Sequence, residues 1–246
     1  MLRRQGGRKT DELRPIRIEP HYLDFAPGSA LVTWGRTRVL CAATVQEQAP
    51  PFRQHTGGGW VTAEYAMLPP ATHTRQSREG PGARPRGRSQ EIQRLIGRSL
   101  RAVVDLEALG ERTVVLDCDV LQADGGTRAA AISGAFVALC LALEPLRRRE
   151  VLEVLPVTHQ VAAVSLGVVE GELLLDLDYD EDSRAEVDAN FVATGRGDLV
   201  EVQASAEAGP FPPALLPEML ALALTGIGRL ALLQQEVLSP WLPVPW

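Results

Sequence analysis

Hydrophobic and polar positions change period several times along this chain, and each change marks an element. The stretch from Ser29 to Val45 alternates, is rich in Val, Leu and Thr, and carries Gly35 and Arg36 at its middle, which predicts a β-hairpin. From Gln46 to Gly59 two prolines and three glycines predict a loop, and Trp60 to Met67 returns to a strand pattern. A second loop runs from Pro69 to Gly87 without hydrophobic period, a length that marks function or mobility inside a compact fold. From Arg88 the period becomes helical: Ile92, Leu95, Ile96, Leu100, Val103 and Val104 share one face, while Arg94, Arg98, Arg101 and Asp105 share the other. Ser89 is the expected N-cap and Gly110 the expected C-terminal glycine of that helix. Thr113 to Gln122 then reads as a strand, Ala123 to Thr127 (ADGGT) as a turn, and Arg128 to about Leu146 as an alanine-rich helix.

The remainder repeats the order of strands followed by helix. Strands are expected near Val161 to Val169 and Glu172 to Leu177, joined by a tight turn at Glu170-Gly171, and again near Asn190 to Ala193 and Leu199 to Ala204. A long helix follows from about Pro213 to Gln235, and the tail SPWLPVPW reads as irregular. The class is α+β, with two sheet-plus-helix halves, about 1–150 and about 151–238, packed into a single unit over 1–246 with an irregular tail at 239–246.

Composition narrows the picture. A chain of 246 residues that is 45% hydrophobic can bury a large core. Its basic, polar opening lacks the apolar stretch of a secretory signal, so a cytoplasmic location is expected. The apolar run from Ala129 to Leu143 is short for a bilayer span, and no membrane association is expected. Cys41, Cys118 and Cys140 are odd in number, far apart and set in apolar runs, so they read as core residues. The net charge of −6 speaks against indiscriminate nucleic-acid binding, yet eight arginines face only Glu79 and Glu91 between Arg75 and Arg101. That segment is either an RNA contact, a solvated helix face or an intersubunit salt-bridge face.

Two further places could carry chemistry. At Asp124-Gly125-Gly126-Thr127-Arg128 a strand hands over to a helix; exposed N–H groups, a hydroxyl and a guanidinium there suit a phosphate, although a plain turn with a helix cap has the same residues. The acidic run from Asp176 to Asp188 could hold Mg²⁺ or be a solvated loop. It is not an EF-hand, because Glu181 or Ser183 falls where the glycine belongs. Asp188 lies among apolar neighbours, where an idle carboxylate is costly. A Walker loop is excluded, since Lys9 is the sole lysine; there is no H-E-x-x-H zinc motif and no G-x-S-x-G nucleophile elbow.

Long motifs tie these pieces together. GGRKTDELRP (Gly6 to Pro15), GGWVTAEYAMLP (Gly58 to Pro69), GRSQEIQRLIGRSLRAVVD (Gly87 to Asp105), DCDVLQADGGTRAAAISGAF (Asp117 to Phe136), YDEDSRAEVD (Tyr179 to Asp188) and GDLVEVQ (Gly197 to Gln203) resemble the ribonuclease PH family in order, over nearly the whole chain except the tail after about Leu238. The resemblance implies two βαβα halves of ribosomal-protein-like topology and a homohexamer built as a trimer of dimers. It implies phosphorolysis of the 3′ ends of tRNA precursors and other RNA, ribosomal RNA included, with release of nucleoside diphosphates and reversal by nucleotide addition. Inorganic phosphate as co-substrate would be bound by Arg88, Gly126, Thr127 and Arg128. Asp182 and Asp188 would bind Mg²⁺ (or Mn²⁺) or act as acid catalysts, which demotes Asp176, Asp178 and Asp180 to bystanders. Arg75, Arg78, Arg84, Arg94 and Arg98 are the expected RNA contacts. A silent RNA-binding ring subunit is the main competing expectation; it would lack these arginines or aspartates, which this chain keeps. A hydrolytic metal-dependent exonuclease would need its carboxylates spread over several segments.

Overall fold

A computed structural model describes residues 4–78 and 87–243. Its first half forms a five-stranded sheet from β1 (Ile16–Pro20), β2 (Gly28–Trp34), β3 (Thr37–Gln46), β4 (Trp60–Met67) and β5 (Thr113–Gln122), in the order β1-β2-β3-β5-β4. All pairings are antiparallel except β4 with β5, which run parallel because α1 (Gly87–Arg101) carries the chain across between them. The second half forms an antiparallel sheet in the order β7-β6-β8-β9, from β6 (Val161–Val169), β7 (Glu172–Leu175), β8 (Val187–Thr194) and β9 (Leu199–Ala206). Between β7 and β8 lies the single turn α3 (Tyr179–Asp182). The long helices are α2 (Thr127–Arg148) and α4 (Leu215–Leu238).

The centre of the molecule is α2, which packs on β2 and β3 on one side and on β6 on the other. Nearly every residue from Thr127 to Glu144 is buried, so its apolar character is spent on one core shared by both sheets. Gly134 allows this closeness: a Cβ there would sit 2.5 Å from Val32 Cγ2 and 2.9 Å from Cys41 Sγ. The expectation from the run Ala129 to Leu143 that no segment reaches membrane length is corrected, since α2 (22 residues) and α4 (24 residues) both do by length and composition. For α2 the core explains the apolarity; α4 lays Met219, Ala223, Ile227 and Leu230 against the second sheet.

The α+β class, both hairpins and the order of the elements from β2 onward, α3 apart, are as the pattern indicates. Glu170 and Gly171, at φ +52° and +76°, make the two-residue turn between β6 and β7. The three cysteines are free and buried, with Cys41 opposite Cys118 across β3 and β5. Two helix boundaries are corrected. Ser89 is not the cap of α1 but lies buried inside it, and α1 stops at Arg101, well before Gly110. Gly110 instead closes a separate turn headed by Asp105, whose carboxylate accepts from the N–H groups of Glu107 and Ala108. β1 was not foreseen although Ile16, Arg17, Ile18 and Glu19 alternate, because the run is only five residues long and ends on a proline.

Candidate active site

The glycine turn is the organising feature. Gly125 and Gly126 both adopt left-handed backbone, at φ +76° and +66°, and Gly126 is the N-cap of α2. No side chain caps that helix, so the leading N–H groups and the positive end of its dipole remain for another acceptor. The ordinary cap that the same residues could have formed is therefore not what they build. The turn is braced from behind: Thr37 Oγ1 donates to the Gly125 carbonyl (2.7 Å) and accepts from the Asp124 N–H (2.9 Å), while Arg14 donates to the Asp124 and Gly125 carbonyls. With its carbonyls held there, the turn is fixed at the head of α2. A Cβ on Gly125 would lie 2.4 Å from the Leu177 carbonyl, so only glycine lets the turn nestle against the second half.

Two cavities open at this turn. The larger, about 460 Å³, is lined by Tyr65, Met67, His73 and Tyr179 among others, and the smaller, about 240 Å³, by Arg128, Ser165, Asp188 and Asn190. They share Arg88, Gly126, Thr127 and Asp182. Thus the structure brings together all six residues singled out for phosphate and carboxylate chemistry: Arg88 from the first turn of α1, Gly126, Thr127 and Arg128 from the start of α2, Asp182 from the end of α3 and Asp188 from β8.

Electrostatics set the four charged residues of this group apart. Burial raises the Asp182 carboxyl above its ordinary pKa, against the pull of Arg88 and Arg128, which favours ionisation. Asp188 is raised by burial and then by repulsion from Asp182. Among the described residues neither arginine forms an ion pair, although the guanidiniums of the buried Arg4 and Arg14 do. Ser165 Oγ is buried beside them with no hydrogen-bond partner. The site is a cleft whose charges have not been consumed by the protein itself.

The rest of the acidic segment does the opposite. Asp176, 1% exposed at φ +58°, accepts from the Arg14 N–H (2.6 Å), Arg14 Nε (3.0 Å), Arg14 Nη2 (2.6 Å) and Trp34 Nε1 (2.9 Å). Asp178 and Glu181 form a capping box around α3, and Glu181 also receives Arg4 (2.8 and 2.9 Å) and Arg8 (3.2 Å). Asp176 and Asp178, expected to be bystanders to the chemistry, have a structural part: they tie the N-terminal segment, the glycine turn and the second half together. Asp180 is exposed. This network was missed because Arg4, Arg8 and Arg14 lie more than 160 residues from their partners.

The arginines read as RNA contacts are scattered in fate. Arg75 and Arg78 are exposed beside the larger cavity's rim residues Thr74, Gln76 and Ser77, and Arg94 is exposed on α1. Arg98 Nη1 donates to Glu201 Oε2 at 2.6 Å, bridging α1 to β9. Arg84 lies outside the described residues. Arg101 is a structural residue, stacked over Trp60 at 4.3 Å and bonded to the Val61 carbonyl.

Comparison with known proteins agrees with this geometry. Residues 12–145 match the model described as 3′ exoribonuclease family, domain 1, and residues 159–226 match that of domain 2. The fold and site thus define an enzyme of the 3′ exoribonuclease class. Ribonuclease PH of Methylobacterium radiotolerans is 56% identical over 236 residues, covering 96% of this chain and all of that protein. Ribonuclease PH of Moorella thermoacetica is 57% identical over 236 residues, covering 96% of this chain and 94% of that one. A solved structure of the Archaeoglobus fulgidus exosome with RNA bound to its active site superposes with a TM-score of 0.77 at 25% identity, covering 92% and 91% of the two chains. The chain belongs to the ribonuclease PH family.

Proposed function

We propose that the cleft performs phosphorolysis on the 3′ ends of tRNA precursors, as a phosphate-dependent 3′-to-5′ exoribonuclease whose co-substrate is inorganic phosphate. The observation that carries this reading is the sharing of Arg88, Gly126, Thr127 and Asp182 by two adjoining cavities. An anion cradle opens directly onto a carboxylate pair, so an attacking phosphate and an RNA phosphodiester can lie side by side. The N–H groups at the start of α2, the Thr127 hydroxyl and the guanidiniums of Arg88 and Arg128 hold the phosphate. One of its oxygens attacks the terminal phosphorus, the bond to the neighbouring 3′ oxygen breaks, and a nucleoside diphosphate leaves. The departing 3′ oxygen takes a proton, which Asp182 and Asp188 are placed to supply, because burial makes both hold protons more tightly than in water. The reverse reaction adds a nucleotide. The gain is alignment and charge stabilisation, with no covalent enzyme intermediate.

As an alternative to donating a proton, the carboxylate pair fits a divalent cation. Both side chains line one small polar cavity, and each resists ionisation there, a cost that a cation would relieve. Among the described residues no group of three or more His, Cys, Asp or Glu side chains gathers, so the ion would keep several waters, as Mg²⁺ does and Mn²⁺ can. When bound it supplies electrophilic stabilisation of phosphate oxygens. Arg75, Arg78, Arg84 and Arg94 take the RNA backbone in this reading, whereas Arg98 is held by Glu201. The same reading places the protein in the cytoplasm as a homohexamer, a trimer of dimers. A ring that repeats the arginine segment around one opening reconciles a net charge of −6 with a polyanionic substrate.

The test incubates the purified protein with a 3′-extended tRNA and Mg²⁺, with and without inorganic phosphate, and identifies the released nucleotides. Diphosphates that appear only with phosphate support phosphorolysis. Monophosphates without phosphate indicate a hydrolase, and RNA binding without release indicates a silent ring subunit. Alanine at Arg75, Arg78 and Arg84 should weaken tRNA more than phosphate.

A further inference from the structure

Tyr65 stands behind the phosphate cradle and has no part in the reading above. It projects from the middle of β4, where it pairs in register with Cys118 of β5, and is 2% exposed. Its hydroxyl donates to Thr127 Oγ1 at 2.9 Å, and both residues line the larger cavity. From these contacts we infer that Tyr65 is a positioning residue for phosphate: it fixes the Thr127 hydroxyl so that the threonine proton points to the attacking anion.

The argument is one of donors and rotors. A threonine hydroxyl has one proton and can rotate, and in a helix its χ1 is divided between two wells. Left alone at the start of α2, Thr127 could spend its proton on a neighbouring acceptor or face away. A phenol is the more acidic partner, so Tyr65 gives its proton to Thr127 Oγ1 and the threonine proton is left for a third group. That group is the phosphate, because Arg88, Gly126 and Arg128 surround the same space. The chain from Tyr65 through Thr127 to an anionic oxygen polarises in one direction, which strengthens each bond. Burial keeps the Tyr65 phenol protonated, so the donor is present throughout the neutral range, even though Arg88 and Arg128 lie near enough to oppose this. The bond joins β4 to the head of α2, where Thr127 faces the cradle, so its effect should fall on phosphate.

This inference rests on Thr127 as a phosphate ligand, and the experiment separates the two. Steady-state kinetics are measured with varied inorganic phosphate and, separately, varied tRNA for the wild type, Tyr65→Phe, Thr127→Val and the double variant, with thermal unfolding as a check on folding. Tyr65→Phe should raise the KM for phosphate about fivefold, the worth of one hydrogen bond, with the KM for tRNA unchanged. Thr127→Val should raise it further, and Tyr65→Phe should add nothing in the Thr127→Val background. If Thr127→Val raises the KM while Tyr65→Phe leaves it unchanged, or costs the same factor in both backgrounds, the positioning role is overturned and the cradle stands. If Thr127→Val leaves the KM for phosphate unchanged, the cradle assignment falls and this inference falls with it.

Discussion

The segment from residue 176 to residue 188 supplies two groups of carboxylates that meet opposite fates. Asp176, Asp178 and Glu181 turn inward, where Arg4, Arg8, Arg14, Trp34 and the backbone of α3 consume their charge. Asp182 and Asp188 face the cleft, where the nearest cations, Arg88 and Arg128, are felt without forming ion pairs among the described residues. Sequence neighbours separated by a single turn of helix thus do different work: one set holds the fold, the other keeps its charge for a ligand. The comparison teaches that a functional charge is recognised by what fails to neutralise it. A buried pair with good hydrogen bonds supports structure, while uncompensated charge in a cleft is a standing cost that function must justify.

The largest effect that could break the comparison is at the cleft. Asp188→Asn should lower kcat about a thousandfold, on the order of 4 kcal/mol of transition-state stabilisation, and Asp182→Asn by a similar factor. Neither should reduce stability. Both carboxyls have raised pKa values in the folded state, so their ionisation at neutral pH works against folding, and neutral asparagine removes that cost. Unfolding midpoints at pH 7 should hold or rise. A variant that loses activity only in proportion to a fallen midpoint would put these residues in the structural group.

The inward group should behave in the reverse sense. Asp176→Asn leaves the Arg14 guanidinium, 6% exposed, without its counter-charge and should cost about 3 kcal/mol in urea unfolding. Activity per folded molecule should fall less than tenfold, through slackening of the Asp124 and Gly125 carbonyls that Arg14 holds. Glu181→Gln should cost less, about 2 kcal/mol, because Arg4 retains the carbonyls of Lys9, Leu175 and Asp176 as acceptors. Full stability with lost catalysis in either variant would erase the distinction drawn above.

Much of this was legible in the chain, and the exceptions share a cause. Strand and helix periods placed β2 to β5 and α2 closely, because each buries a regular face against one core. The glycine turn and Asp188 were visible as local oddities: two glycines where a strand meets a helix, and a carboxylate among apolar residues. The Arg14–Asp176 pair was not visible, since nothing local marks two residues that meet across the molecule. Nor was Tyr65, whose position in β4 reads as an ordinary buried aromatic until the Thr127 hydroxyl is seen beside it. Ser89 and Gly110 misled because capping residues are common outside caps, and here the apolar face of α1 outlasts its helical backbone.

The finest test of the comparison lies on α1, where Arg94 and Arg98 sit one turn apart and differ only in partner. Arg98 reaches Glu201 of the second half, in a pair whose side chains are 58% and 13% exposed. Such a bond contributes under about 1 kcal/mol, and Arg98→Ala should shift stability by no more than that. Its charge is already balanced, so removal should leave the salt dependence of tRNA binding as it was. Arg94 is exposed, and the Arg94→Ala variant should lower the slope of log affinity against log salt by about 0.7 to 0.9, the release of one counterion. Equal slopes for the two variants would show that Glu201 does not hold Arg98 back from RNA. The rule that unneutralised charge marks function would then fail at the surface, even where it succeeds in the cleft.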